Sequence, residues 1–177
     1  MDKWAITYEY KKGISASIVI PVRLRVKHSD VVTEFWIINA LIDTGASISC
    51  ISNRLANKMG LISTGSYSYG TAAGEYKFLT YTADVFFPRD KLFKDLAVSE
   101  FKVRDIDDYD FLIGMDILVQ GNMSITNTEE KMIFSFRIPP SGKHIDYQIE
   151  LLREEFTDEE IETLIKESES LPKNWWD

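Results

Sequence analysis

The stretch ALIDTGASIS, Ala40 to Ser49, ends an apolar run on one aspartate, Asp43, and follows it with a threonine, a glycine and small side chains. Glycine permits a tight loop, and in such a loop backbone amides and the Thr44 hydroxyl can hydrogen-bond a carboxylate and hold it. Asp43 is then ionisable but positioned, which is what a group that moves protons in a reaction requires. Thr44, Gly45, Ala46 and Ser47 are its expected support. Roughly seventy residues on, DFLIGMDIL, Asp110 to Leu118, brings a second short apolar run to a glycine. Leu112 and Ile113 lead into Gly114, and a helix is expected from near Met115 to Gly121.

The other reactive side chains have plainer readings. Asp116 sits where that helix starts and reads as a cap or a buried ion-pair partner rather than a catalyst. Asp105, Asp107 and Asp108 form a charged run of the kind that makes a solvated loop, and they lack the glycine and glutamate spacing of a calcium loop. His28 and His144 lie in turn-like or linker contexts with no cysteine or acid at metal-ligand spacing, so no metal and no cofactor are expected. Cys50 is the only cysteine. It excludes an internal disulfide, fits a reducing compartment, and reads as a small buried hydrophobe.

Positioning Asp43 is the task of the surrounding elements. From Ile14 to Val26 the even positions are apolar, the period of a long half-buried strand, with Pro21 marking an edge or a bend. His28 to Asp30 turn, and Val31 to Ile38 return as a β-rich strand. Ser52 caps a short helix over Asn53 to Met59 that stops at Gly60. Tyr67 to Tyr69 and Tyr76 to Phe87 read as arms of a hairpin whose tip, Gly70-Thr71-Ala72-Ala73-Gly74, has two glycines and no bulky side chain. Leu92 to Val103 gives another strand, and Met123 to Thr126 with Met132 to Ile138 a last hairpin. Pro139 to Gly142 break the pattern. Beyond them Ile145, Tyr147, Ile149 and Leu151 alternate, and Thr157 with Glu160 forms a capping box for a helix over about 157–169. Residues 1–138 therefore read as one mostly β domain and 139–177 as an extension with a helix.

Composition narrows the function. The 177 residues suffice for one domain with a sizeable core, and 28 acids against 20 Lys and Arg give a formal charge of -8 that repels phosphate backbones, so nucleic acid is not an expected partner. The polar, charged segment Met1 to Lys12 does not match a secretory signal, and no apolar stretch is long enough to span a bilayer. The expected location is cytoplasmic, away from membranes.

LIDTGAS followed by DFLIGMDIL resembles the retropepsin family of aspartic proteases, the single-domain type of retroviruses, retrotransposons and cellular retroviral-like proteases. The order matches: catalytic loop, mobile hairpin, apolar-glycine motif, helix. The resemblance covers about residues 14–137 and implies a closed, mostly antiparallel β barrel with one or two short helices. It also implies Asp43 as the catalytic residue, residues 70–74 as a flap over the substrate, and Leu112, Ile113, Gly114 and Asp116 as a motif behind the site.

Aspartic-protease chemistry needs two carboxylates, one ionised to take a proton from water and one protonated to polarise the scissile carbonyl. The chain holds no second Asp-Thr-Gly or Asp-Ser-Gly; the nearest echo, Ser63-Thr64-Gly65, has a hydroxyl in place of the acid. The second Asp43 must then come from another copy, so the expected active form is a twofold homodimer acting on a polypeptide. A noncatalytic or self-inhibited dimeric binding module on the same fold is the rival reading, with Leu171 to Asp177, including Trp175 and Trp176, as a plug for the groove. A phosphotransfer reading of Asp-Thr-Gly fails, because no Gly-rich loop with lysine follows.

Overall fold

The structure, a computed structural model, describes residues 3–11, 17–28, 31–32, 35–71, 74–104, 106–143 and 147–169. Its chain divides into two compact units, Met1–Ser141 and Gly142–Asp177.

The first unit is built on strands β1 (Trp4–Lys11), β2 (Val19–His28), β3 (Val31–Val32), β4 (Trp36–Ile42), β5 (Cys50–Ser52), β6 (Gly65–Thr71), β7 (Gly74–Phe87), β8 (Lys91–Phe101), β9 (Phe111–Ile113), β10 (Asn122–Asn127) and β11 (Lys131–Ile138). Two short helices join them, α1 (Asn53–Lys58) and α2 (Met115–Leu118). One sheet runs β3-β2-β4-β9-β5-β8-β7-β6, and a further pairing of β2 with β7 closes six of its strands into a barrel. Most pairings are antiparallel, but β4 with β9 and β5 with β8 are parallel. A second sheet has the order β1-β11-β10.

The expected strand over Val31 to Ile38 is two elements, β3 and β4, and β4 runs on to Ile42, the residue before Asp43. Ile14 and Ala16, the start of the expected first strand, lie outside the described residues, but its alternation holds further on: Ile18, Ile20, Val22 and Leu24 are all buried. Pro21 pairs with Asn39 of β4 and precedes the span, Arg23 to Val26, where β7 joins β2 on the other side. Its missing N–H therefore falls where only one neighbour is present. Ser52 caps α1 as expected, its hydroxyl accepting from the Leu55 amide at 2.9 Å. Gly60 follows the helix at φ +62.

The polar N-terminal segment forms β1, which the sequence reading passed over. Its even positions turn inward, with Trp4 and Ile6 buried, and pair in register with Ile138 and Phe136 of β11. Trp4 pins this sheet to the barrel: its ring meets Phe87 and Phe136 edge-on at 5.6 and 5.9 Å, and its indole N–H donates to the Pro88 carbonyl at 2.8 Å.

A cross-strand ion pair spans the β2–β7 closure. Arg25 of β2 faces Asp84 of β7, a fully buried carboxylate that accepts from the Arg25 guanidinium at 2.6 Å and from the Asp95 amide at 2.9 Å. The guanidinium also lies over the rings of Phe35 and Phe86. Arg25→Met removes the charge opposite a buried anion. The expected cost is ~2–3 kcal/mol, below the range for a fully buried pair because part of the Arg25 side chain is in water. Denaturant unfolding checks it as a lower midpoint at unchanged slope.

The second unit contains α3 (Tyr147–Glu155) and α4 (Asp158–Glu169), which pack against each other. The capping box forms as expected, with the Thr157 amide donating to the Glu160 carboxylate at 2.9 Å. The alternation at Tyr147, Ile149 and Leu151, which reads as extended, is helical instead: Tyr147 and Leu151 are four apart, and the run from Glu150 to Glu155 favours helix without one β-branched residue. Residues 142–177 carry eleven acids and four bases, so -7 of the net -8 resides in this unit and the first is close to neutral. No helix among the described residues is long and apolar enough to cross a membrane.

Candidate active site

Asp43 stands where β4 ends, half-exposed, at the start of a loop that returns at Cys50 as β5. Strand β9 lies between these two strands, parallel to β4 and antiparallel to β5, so Leu112 pairs with both Leu41 and Cys50. Parallel pairing continues past the strand end: the Asp43 amide donates to the Ile113 carbonyl at 3.0 Å. The Asp43 carboxylate accepts from the Gly45 amide at 2.9 Å, a side-chain turn two residues long. A Cβ on residue 45 would lie 3.2 Å from that same oxygen, tighter than a comfortable contact. Thr44, Gly45 and Ser47 are exposed and Ala46 is half-buried.

The apolar-glycine motif seats directly beneath this loop. A Cβ on Gly114 would come within 2.6 Å of the Ile48 carbonyl carbon and 2.9 Å of the Ala46 oxygen, so only glycine lets the two backbones approach this closely. The Met115 amide donates to the Ala46 carbonyl at 2.8 Å. Asp116 is neither the helix cap nor, among the described residues, an ion-pair partner. Its carboxylate accepts from the Ser49 hydroxyl at 2.8 Å, the Ser49 amide at 3.0 Å and the Ile117 amide at 3.0 Å. Ser49, fully buried, is the residue that sequence reasoning missed; the available signal was a small polar residue set between Ile48 and Cys50 just as the chain re-enters the core.

The expected mobile arm is the β6–β7 hairpin, with Gly70 opposite Glu75 and Thr71 opposite Gly74. It is the far end of the sheet beyond β8; Ala72 and Ala73 at its tip lie outside the described residues, as do Asp105, His144, Trp175 and Trp176. The rest of the acidic loop is tied down rather than loose. Arg54 of α1 donates to the Asp110 carboxylate at 2.9 Å and to the Asp107 and Tyr109 carbonyls, and Asp107 pairs with Arg104. Hydrogen bonds from the Arg104 side chain and amide hold the Asp107 carboxyl below its usual range.

Cys50 is half-buried rather than buried. Burial first, then the Asp116 carboxylate, pushes its thiol up to about 11, which disfavours the thiolate, the nucleophilic form. Among the described residues no three His, Cys, Asp or Glu side chains converge as a metal-binding group.

The closed barrel thus presents an Asp-Thr-Gly loop seated on an apolar-glycine strand. The sequence family described as "gag-polyprotein putative aspartyl protease" matches residues 36–120. A retropepsin-like aspartic protease from Rickettsia conorii superposes with a TM-score of 0.50 at 20% identity, covering 77% of this chain and 96% of that one. EIAV protease in complex with the inhibitor HBY-793 gives a TM-score of 0.42 at 16% identity, over 60% of this chain and 89% of that one. No curated protein matches the sequence. The fold is therefore retropepsin-like, and residues 36–120, which carry the Asp-Thr-Gly loop and the apolar-glycine strand, match the aspartyl-protease family model.

Proposed function

We propose that the protein is an aspartic endopeptidase that works as a twofold homodimer, with water activated between two Asp43 carboxylates. The observation that carries this reading is the seating of Asp43: one per chain, half-exposed, held by the Gly45 amide, on a loop fixed to β9. Each subunit supplies half of an acid–base pair. Two ionised carboxylates ~3 Å apart at an effective dielectric of ~20 repel by about 5 kcal/mol, so the pair holds one shared proton, the known behaviour of aspartic-protease carboxylates. The ionised member takes a proton from water as it attacks the scissile carbonyl, and the protonated member hydrogen-bonds the carbonyl oxygen. No covalent intermediate forms. The substrate binds extended; β6 is the terminal strand of its sheet and offers a hairpin arm that can lie along a peptide.

Two surfaces support the second copy. Ile48, next to the catalytic loop, is 42% exposed. Strand β10 is one terminal strand of the three-stranded sheet, and its Met123 and Ile125 sit in register with buried Phe136 and Phe134 yet remain exposed. Among the described residues these exposed apolar side chains lie on a strand edge that pairs with no further strand. Ile125→Glu is expected to weaken dimerisation at least ~10-fold, read by sedimentation velocity across a dilution series.

The test of function is a digest of a proteome-derived peptide library, comparing the native protein with Asp43→Asn. Cleavage by the native protein alone, at positions sharing apolar flanks, supports the reading. Equal cleavage by both, or none by either, rejects it in favour of a binding module.

A further inference from the structure

We propose that Ser49 and Asp116 form a clamp that positions Asp43 for hydrolysis, a role that rests on the protease reading above. The catalytic loop has three anchors. The Asp43 amide is held by Ile113 at one end, and the Ala46 carbonyl by Met115 in the middle. At the far end the Ser49 carbonyl accepts from the Ser99 amide at 3.2 Å, and side chains tie the same residue to the strand beneath: Asp116 takes both the hydroxyl and the amide of Ser49, and the Ser49 hydroxyl accepts in turn from the Gly114 amide at 3.1 Å. Ser49 is fully buried, so its hydroxyl gains nothing from water, and both its donor and acceptor capacity are used toward the segment that carries Gly114.

The chemistry of the clamp requires a carboxylate. Asp116 offers two acceptor oxygens to three donors, and an amide of the same shape would turn an N–H toward one of them. Its charge is met, among the described residues, by hydrogen-bond donors and not by a cation, so the bonds themselves fix its place. In a twofold site the consequence doubles, because any drift of the loop displaces both members of the carboxylate pair at once. A misplacement of ~1 Å at a reacting group costs about 10²-fold in rate.

The experiment uses the full chain and three variants, Asp116→Asn, Ser49→Ala and Ser49→Thr. Each is measured by steady-state cleavage of a peptide found in the library digest and by native-state amide hydrogen exchange. Asp116→Asn and Ser49→Ala are expected to lower kcat by about 10- to 100-fold with KM changed less than about threefold. They should also speed exchange at Ser49, Gly114 and Met115 while leaving Val22 and Val85 of the barrel unchanged. Ser49→Thr keeps the hydroxyl and should retain kcat within about threefold. Unchanged exchange in the loop overturns the clamp. Faster exchange with native kcat, or a loss that Ser49→Thr shares equally, overturns its positioning role. If the native chain cleaves nothing, the hydrolysis reading falls and takes the kinetic role with it, whereas the exchange data still decide whether the clamp holds the loop.

Discussion

Asp43→Asn is expected to lower kcat/KM for peptide cleavage by about 10⁴-fold, about 5.5 kcal/mol of transition-state stabilisation, with the fold and the dimer intact. On the proposed reading the loss is large because one substitution changes both halves of a twofold site, removing the base and the acid together. The fold survives because the amide oxygen still accepts from the Gly45 amide, as the carboxylate does at 2.9 Å. Mixing supplies a sharper check. Native protein equilibrated with an equal amount of the Asp43→Asn variant distributes into mixed dimers, and activity per native chain should fall to about half. Activity indifferent to the variant would mean that a single chain holds a complete site.

Gly114→Ala is expected to destabilise the first unit by ~3 kcal/mol, lowering its Tm by about 6–12 °C. The reason is contact and not backbone conformation: residue 114 has φ -90 and ψ -176, which any side chain adopts, but the added methyl would meet the backbone of Ile48 and Ala46. Backbone cannot rotate away as a side chain tip can, so the Asp43 loop or α2 must shift. Activity measured well below the transition should therefore fall more than the folded fraction does. Gly60→Ala is the control, since nothing lies within 4 Å of its Cβ position and only its φ of +62 carries a cost of ~1 kcal/mol. Thermal unfolding by circular dichroism, with peptide cleavage at low temperature, separates the two cases.

Much of this site was legible because its parts are local. Asp43-Thr44-Gly45 closes its own hydrogen bond, Ser52 caps its own helix, and the β6–β7 hairpin pairs as far as Thr71 with Gly74, with two residues between them. What escaped was non-local or masked by charge. Trp4, Ile6, Tyr8 and Tyr10 carry the period of a strand, but Lys3, Glu9, Lys11 and Lys12 made the segment read as polar, although the charged residues of β1 itself point outward. The parallel pairings β4–β9 and β5–β8 join segments far apart in the chain, and no alternation reveals a partner. Asp116 illustrates the same limit: its position at a helix start suggested a cap, whereas its partner Ser49 is 67 residues away. Conversely the period-two pattern around Tyr147 misled, because a spacing of four serves a helix equally well.

The uneven placement of charge has a colloidal consequence. The barrel-bearing unit, with 17 acids and 16 bases, would on its own be nearly isoelectric at neutral pH, the condition in which protein molecules repel one another least. The acidic pI of about 4.9 belongs to the whole chain because 36 residues outside the barrel set it. The mutual repulsion that holds copies of the chain apart at neutral pH therefore comes almost wholly from its appendage.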